Sequence, residues 1–217
     1  MDLAGTQARA LELLRAARIL PIVTVDSLAQ ARSIARALQA GGLDTIELTL
    51  RTPVALDAIA MLKAEMPGLI VGAGTVLEPI HVERARAAGA DFLVTPGTPP
   101  ALADALAAAP IPSIPGAATP TELIALATRG FRVAKLFPAM AVGGLAMVRA
   151  LQGPLPDLSL CPTGGIAEAD AAAFLAEANV ACIGGSWMVA KAWIETGNYA
   201  AVTASAIRAR GLIASTR

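Results

Sequence analysis

One lysine in this chain stands in the middle of a short apolar run. The stretch Arg132-Val-Ala-Lys-Leu-Phe-Pro138 holds Lys135, and if the run is a strand, Val133, Lys135 and Phe137 share one face while Ala134 and Leu136 take the other. The amine then points with two hydrophobes. Loss of water disfavours an ammonium against the neutral amine, and a neutral amine is a nucleophile suited to Schiff-base formation with a carbonyl substrate. The competing reading is a lysine at a strand end whose stem is buried and whose charge reaches solvent.

A second polar set lies on Thr45-Ile-Glu-Leu-Thr-Leu-Arg51. Here Glu47, Thr49 and Arg51 share a face opposite Ile46, Leu48 and Leu50. The apolar face must pack on helices, so the charged one points inward, where Glu47 and Arg51 need each other, a lysine or a ligand. Further candidates come at the ends of later apolar runs. Gly72-Ala-Gly-Thr75 offers close backbone approach and a hydroxyl; Thr95-Pro96-Gly97 and Pro115-Gly116 again narrow the side chains. Cys161-Pro-Thr163-Gly164-Gly165 and Ile183-Gly-Gly185-Ser186-Trp187 have the glycine turns and hydroxyls that let backbone N–H groups face an anion.

Taken together these are an amine, a carboxylate, an arginine able to grip a carboxylate in a fork, and a phosphate cradle. The matching substrate is a small phosphorylated 2-keto acid. Lys135 attacks its ketone, the iminium withdraws electrons, and Glu47 moves the proton that permits carbon–carbon cleavage. Such chemistry runs without metal or cofactor.

Residues this far apart can meet only if the fold gathers the same end of many strands. β-Branched runs recur at 19–25, 45–50, 69–76, 92–96, 111–116, 132–138, 158–163 and 181–186. Alanine-rich helical segments fall between them at 27–40, 53–66, 79–88, 99–108, 119–129, 144–151 and 167–178, with a last one at 199–210 and an amphipathic helix at 3–17 ahead of the first strand. Pro53, Pro79 and Pro120 follow possible caps, and Gly41-Gly42, Gly89 and Gly130 stand where helices should stop. Eight strands alternating with helices lead us to expect an α/β fold: a single (β/α)8 TIM barrel over residues 1–217, with the extra N-terminal helix as a lid over one end. A doubly wound open sheet is disfavoured by the even spacing and by the absence of Gly-x-Gly-x-x-Gly after the first strand. In a barrel, active groups collect at the carboxyl ends of the strands and phosphate sits after the seventh and eighth, where the candidates above fall.

Composition narrows the partners. With Lys plus Arg and Asp plus Glu at 17 each and no basic run, nucleic acid is not expected. The longest apolar runs are too short for a membrane span and the first residues lack a signal-peptide pattern, so a soluble, cytoplasmic protein is expected. A single histidine, His81, rules out a His-based metal cluster, and Cys161 and Cys182 lack metal-ligand spacing and read as buried free thiols.

From Ile19 to the end, the chain resembles the 2-keto-3-deoxy-6-phosphogluconate (KDPG) and 4-hydroxy-2-oxoglutarate aldolase family, through Glu47-Leu-Thr-Leu-Arg-Thr52, Val71-Gly-Ala-Gly-Thr-Val76, Thr95-Pro-Gly97, Lys135-Leu-Phe-Pro138, Cys161-Pro-Thr-Gly-Gly165 and Ile183-Gly-Gly-Ser-Trp187. The resemblance implies that Lys135 is the Schiff-base lysine and Glu47 the proton shuttle, with Arg51, Thr75 and Pro96 around the pyruvate portion. It implies that Gly164, Gly165, Gly185 and Ser186 hold the phosphate, with Phe137 and Thr163 in the same binding set, and that the protein is a homotrimer releasing pyruvate and glyceraldehyde 3-phosphate. Met140 stands where the family usually has glutamate, with Val142 where a polar residue is common, which bears on the loop after the sixth strand and not on the lysine or its base. The relative acting on the phosphogalactonate epimer usually differs at the segments matching Thr49-Leu-Arg-Thr52 and Cys161-Pro-Thr163. A non-catalytic phospholigand-binding barrel or an assembly scaffold is the reading from another class.

Overall fold

A computed structural model describes residues 2–215. It begins with α1 (Leu3–Ala17), β1 (Ile19–Val23), α2 (Leu28–Ala40), β2 (Thr45–Thr49), α3 (Ala55–Glu65), β3 (Ile70–Gly74), α4 (Pro79–Ala87), β4 (Phe92–Val94) and α5 (Pro100–Ala108). The second half runs β5 (Ser113–Ile114), β6 (Gly116–Ala117), α6 (Pro120–Thr128), β7 (Val133–Leu136), α7 (Gly144–Gln152), β8 (Ser159–Pro162), α8 (Ala171–Leu175), β9 (Ile183–Gly185), α9 (Lys191–Glu195) and α10 (Tyr199–Ser215).

Local chemistry explains most of the boundaries. Pro79, Pro100 and Pro120 occupy the first turn of their helices, where the missing N–H would be unpaired in any case. Thr119 and Glu122 form a reciprocal capping box on α6. Gly89 and Gly130 end α4 and α6 with φ of 85° and 98°, a conformation that costs glycine little. Two expectations need correction. Pro53 does not open a helix, since α3 starts at Ala55 after a turn. The segment 167–178 is a 3-10 turn, Glu168–Asp170, followed by the short α8, and α9 lies where no helix was expected.

The strands pair in parallel as a curled six-stranded sheet, β5-β4-β3-β2-β1-β9, and a three-stranded sheet, β6-β7-β8. The eight expected strands thus become nine and do not form one continuous ladder. The break is at Pro115, which has no N–H to give to a ladder, although its carbonyl accepts from Lys135 N at 2.8 Å. Isolated parallel bridges, Leu160 to Val180 and Thr163 to Gly184, link the other margins.

Strand alternation sorts the buried side chains into two layers. Ile46, Leu48, Ala134, Leu136 and Leu160 belong to the large outer core between strands and helices. Leu20, Phe92, Val94, Ile114, Val133 and Cys161 form an inner cluster with Ala10 and Leu14 of α1. α1 therefore covers the inner layer at the amino ends of the strands, as a lid would. Toward the carboxyl ends of the strands the inner positions turn polar, with Glu47, Lys135 and Thr163 all buried. Both cysteines are buried free thiols, and burial pushes the Cys182 thiol well above its ordinary range, which leaves it protonated and inert.

Gln7 fixes the lid in place. Its side chain is 1% exposed; Nε2 donates to Ser113 O at 2.9 Å, and Oε1 accepts from Arg132 N at 3.0 Å and Val133 N at 3.2 Å. One amide thus satisfies backbone groups on both sides of the break between the sheets. In Gln7→Leu these groups lose their partner, at a cost of roughly 2 to 4 kcal/mol. Thermal melting should fall by roughly 5 to 15 °C, while the activity of the folded fraction is retained. A melting point within 2 °C of the parent would mean that water replaces the amide.

Candidate active site

Lys135 sits mid-strand on β7, with Gly116 and Cys161 as register partners on either side. It is 5% exposed. Its Nζ donates to Glu47 Oε1 at 3.4 Å and lies 5.2 Å from the centroid of the Phe137 ring. The two residues are 88 positions apart in sequence and on different sheets, so the curl of the strands, not local sequence, brings them together. Glu47 is still more deeply buried. The charge that strand parity sends inward on β2 therefore meets the lysine that parity sends inward on β7. The alternative of an Arg51 partner for Glu47 is not what the structure shows.

The room for the glutamate comes from the glycines of β3. A Cβ on Gly74 would overlap the Glu47 carboxylate, and one on Gly72 would overlap the Phe92 ring. The expectation that these glycines admit a ligand is corrected: they admit neighbouring side chains. Thr49, on the same inner face, pairs its hydroxyl with that of Thr24 at 2.7 Å.

A cavity of about 700 Å³ opens beside Lys135. Lys135, Arg51, Phe137, Thr163, Gly164, Gly165, Gly185 and Ser186 all contribute to its wall. Arg51 reaches it by a different route from the one strand parity suggests. β2 ends at Thr49, so alternation stops there, and Arg51 is exposed in the following turn with Nε donating to Thr75 Oγ1 at 3.2 Å. Thr75 adopts φ 59°, uncommon for a residue with a Cβ, and touches the site through Arg51. Pro96 faces a separate hollow with Gly97 and Thr98. Gly164 and Gly165 have φ of 102° and 80°, so their turn is left-handed and suited to glycine.

A family model described as KDPG and KHG aldolase matches residues 11–205. The chain belongs to the KDPG and KHG aldolase family. It is 45% identical over 195 residues to the 2-dehydro-3-deoxy-phosphogluconate aldolase of Pseudomonas aeruginosa, covering 90% of this chain and 89% of that one. A KDPG aldolase from Legionella pneumophila, solved with pyruvate captured as a covalent carbinolamine, superposes with a TM-score of 0.89 at 38% identity, covering 91% of this chain and 96% of that one. A Zymomonas mobilis 2-keto-3-deoxy-6-phosphogluconate aldolase solved with 3-phosphoglycerate gives a TM-score of 0.88 at 36% identity, over 94% and 95% of the two chains. This chain is an aldolase, a carbon–carbon lyase.

Met140, in the loop after the lysine strand, is exposed and packs against Gly165. Its backbone N donates to Gly164 O at 3.1 Å, and its Cβ would lie 3.0 Å from a Cβ on Gly165. It is absent from the cavity wall, and Val142 packs against the outer core. Sequence reasoning missed the far rim of the cavity, made by Asp26, Gln30, Lys191, Glu195 and Trp187. Lys191 and Glu195 pair at 3.5 Å across one turn of α9. Only Trp187 carried a signal beforehand, as the last residue of a matched motif.

Proposed function

We propose that this aldolase cleaves 2-keto-3-deoxy-6-phosphogluconate to pyruvate and glyceraldehyde 3-phosphate through a Schiff base at Lys135, with 4-hydroxy-2-oxoglutarate, split to pyruvate and glyoxylate, as a further substrate. The observation that carries the reading is the buried Lys135 to Glu47 pair at 3.4 Å, on a cavity whose wall also holds an arginine and the Gly164-Gly165 turn. Transfer of a proton from Nζ to Oε1 leaves a neutral amine beside a neutral acid. The amine attacks the ketone carbon and water leaves to give an iminium. Glu47, ionised again, takes the proton of the C4 hydroxyl; the C3–C4 bond breaks, the aldehyde departs, and the electron pair stays as an enamine. Glu47 returns the proton to C3, and hydrolysis frees pyruvate and Lys135. Arg51, steadied by Thr75, grips the substrate carboxylate as a fork. The phosphate lies at the other end, against Gly164, Gly165, Gly185 and Ser186, with Thr163 beside it. Pro96 closes the pyruvate side from its own hollow and Phe137 from the cavity. The covalent carbinolamine of the Legionella relative supports this chemistry.

The test compares cleavage of the phosphorylated acid with trapping of pyruvate, which has no phosphate for the cradle to hold. Equal amounts of pyruvate and glyceraldehyde 3-phosphate should appear from the phosphorylated acid. Ser186→Ala, which removes one hydrogen bond to a charged group, should lower kcat/KM for that acid roughly 10- to 100-fold and spare borohydride trapping of pyruvate. If both activities fall in proportion, the phosphate is bound elsewhere. Gly185→Val is the poorer probe, because its side chain meets Trp187 before any anion.

The same reading covers architecture. The fifth strand broken at Pro115 and the bridges at Leu160 and Thr163 support one closed eight-stranded (β/α)8 ring over a single domain of residues 1–217. A cytoplasmic homotrimer fits the family, and the half-exposed side chains of Leu77, Ile80 and Ile124 supply apolar surface for such contact.

A further inference from the structure

We infer that Trp187 is a positioning residue for the phosphate end of the substrate, acting through Gly185. The inference rests on the phosphate reading above and adds the side chain that holds the cradle in shape. A Cβ built on Gly185 would fall within the six-membered ring of Trp187, against Cζ3, Cε3 and Cη2. The indole is thus laid directly on the Gly185 backbone. Gly185 does not have a left-handed φ, so glycine is required there by the ring and not by the turn. Its neighbour Gly184 is filled in the same way by Thr163. Both members of this Gly-Gly pair therefore have a protein side chain where a Cβ would stand, and their backbone still lines the cavity beside the Gly164-Gly165 turn and Ser186.

Two further observations tie the ring to Ser186. Trp187 opens a single 3-10 turn, Trp187–Val189, preceded by Ser186, whose carbonyl accepts from Val189 N at 3.0 Å. Ser186 itself is exposed on the cavity wall. The ring lies between Gly185 and the outer core at the rim of the cavity, and its Nε1 has no hydrogen-bond partner among the described residues. The indole packs on the Gly185 backbone, and a shift of it moves Gly185 and the Ser186 hydroxyl together. The flat ring carries this role.

The experiment compares Trp187→Leu, Trp187→Phe, Gly185→Ala and the Gly185→Ala/Trp187→Leu pair, each checked for folding by circular dichroism. Trp187→Leu should raise KM for the phosphorylated acid about tenfold with kcat and pyruvate trapping held, and Trp187→Phe should recover most of that loss. Gly185→Ala should resemble Trp187→Leu, and in the leucine background its added Cβ should have little further effect, a sub-additive pair. With Trp193→Phe removing the second tryptophan, titration with inorganic phosphate should shift the remaining fluorescence and saturate, a readout that stands even if the leucine variant fails to fold. An unchanged KM in Trp187→Leu, a proportional fall in pyruvate trapping, or a silent phosphate titration overturns the inference. If Ser186→Ala raises KM and Trp187→Leu does not, only the role of Trp187 is wrong; if neither does, the phosphate reading fails as well.

Discussion

Lys135→Arg should yield no borohydride-stable adduct with pyruvate and should lose roughly four or more decades of cleavage rate, about 5.5 kcal/mol of barrier. Arginine stays charged and its delocalised guanidinium does not form the imine, whereas its length and charge still allow a partner for Glu47 across the 3.4 Å gap. The fold should survive on that account, and melting within a few degrees of the parent would show that the loss is chemical. Mass spectrometry of the intact protein after reduction reads the result directly: the parent gains one reduced pyruvate and the variant gains nothing. The other described lysines, Lys63 in its pair with Asp91 and Lys191 at the rim of the cavity, serve as internal controls. An adduct that persists in Lys135→Arg would move the nucleophile to one of them and end the present assignment.

What made Lys135 and Glu47 legible is that parity along a strand is a strict rule while the strand lasts. Val133 in the inner cluster and Ala134 and Leu136 in the outer core follow the alternation, and so do Ile46 and Leu48 opposite Glu47. Arg51 marks where the rule ends. Parity was carried two residues past Thr49, where the chain has already turned, and the side chain comes to the cavity from the exposed mouth instead of the buried face. Glycine-rich strand ends were legible as narrowing but not as to cause. Whether the vacant space serves a ligand or a neighbour depends on which side chain points at it, and Glu47, Phe92, Thr163 and Trp187 claim Gly74, Gly72, Gly184 and Gly185 from other strands or turns. The split at Pro115 follows from a missing N–H that could have been foreseen. The docking of α1 through Gln7 could not, since a buried glutamine with backbone partners more than 100 residues away leaves no periodic trace.

Glu47→Gln should separate imine formation from proton transfer. The amide keeps the volume that Gly74 leaves open for the carboxylate, so the site should keep its shape, and with solvent taking the lysine proton in place of the carboxylate the variant should still trap pyruvate on Lys135, at a slower rate. What glutamine cannot do is accept a proton and return it. Exchange of the pyruvate methyl protons with solvent, followed by NMR in deuterated buffer, should slow by a factor of about 10² to 10⁴, the range expected when general acid–base catalysis is removed, and cleavage should slow in step. Because the only polar group hydrogen-bonded to Lys135 Nζ among the described residues is this carboxylate, no neighbouring side chain stands ready to substitute, and Thr49 on the same face is already engaged with Thr24. Glu47→Ala should lose exchange as well and also melt lower, since it leaves the lysine buried without a partner and opens a cavity. Proton exchange at the parent rate in Glu47→Gln, with trapping intact, would assign the shuttle to bound water or to the substrate itself and leave Glu47 as a counter-ion.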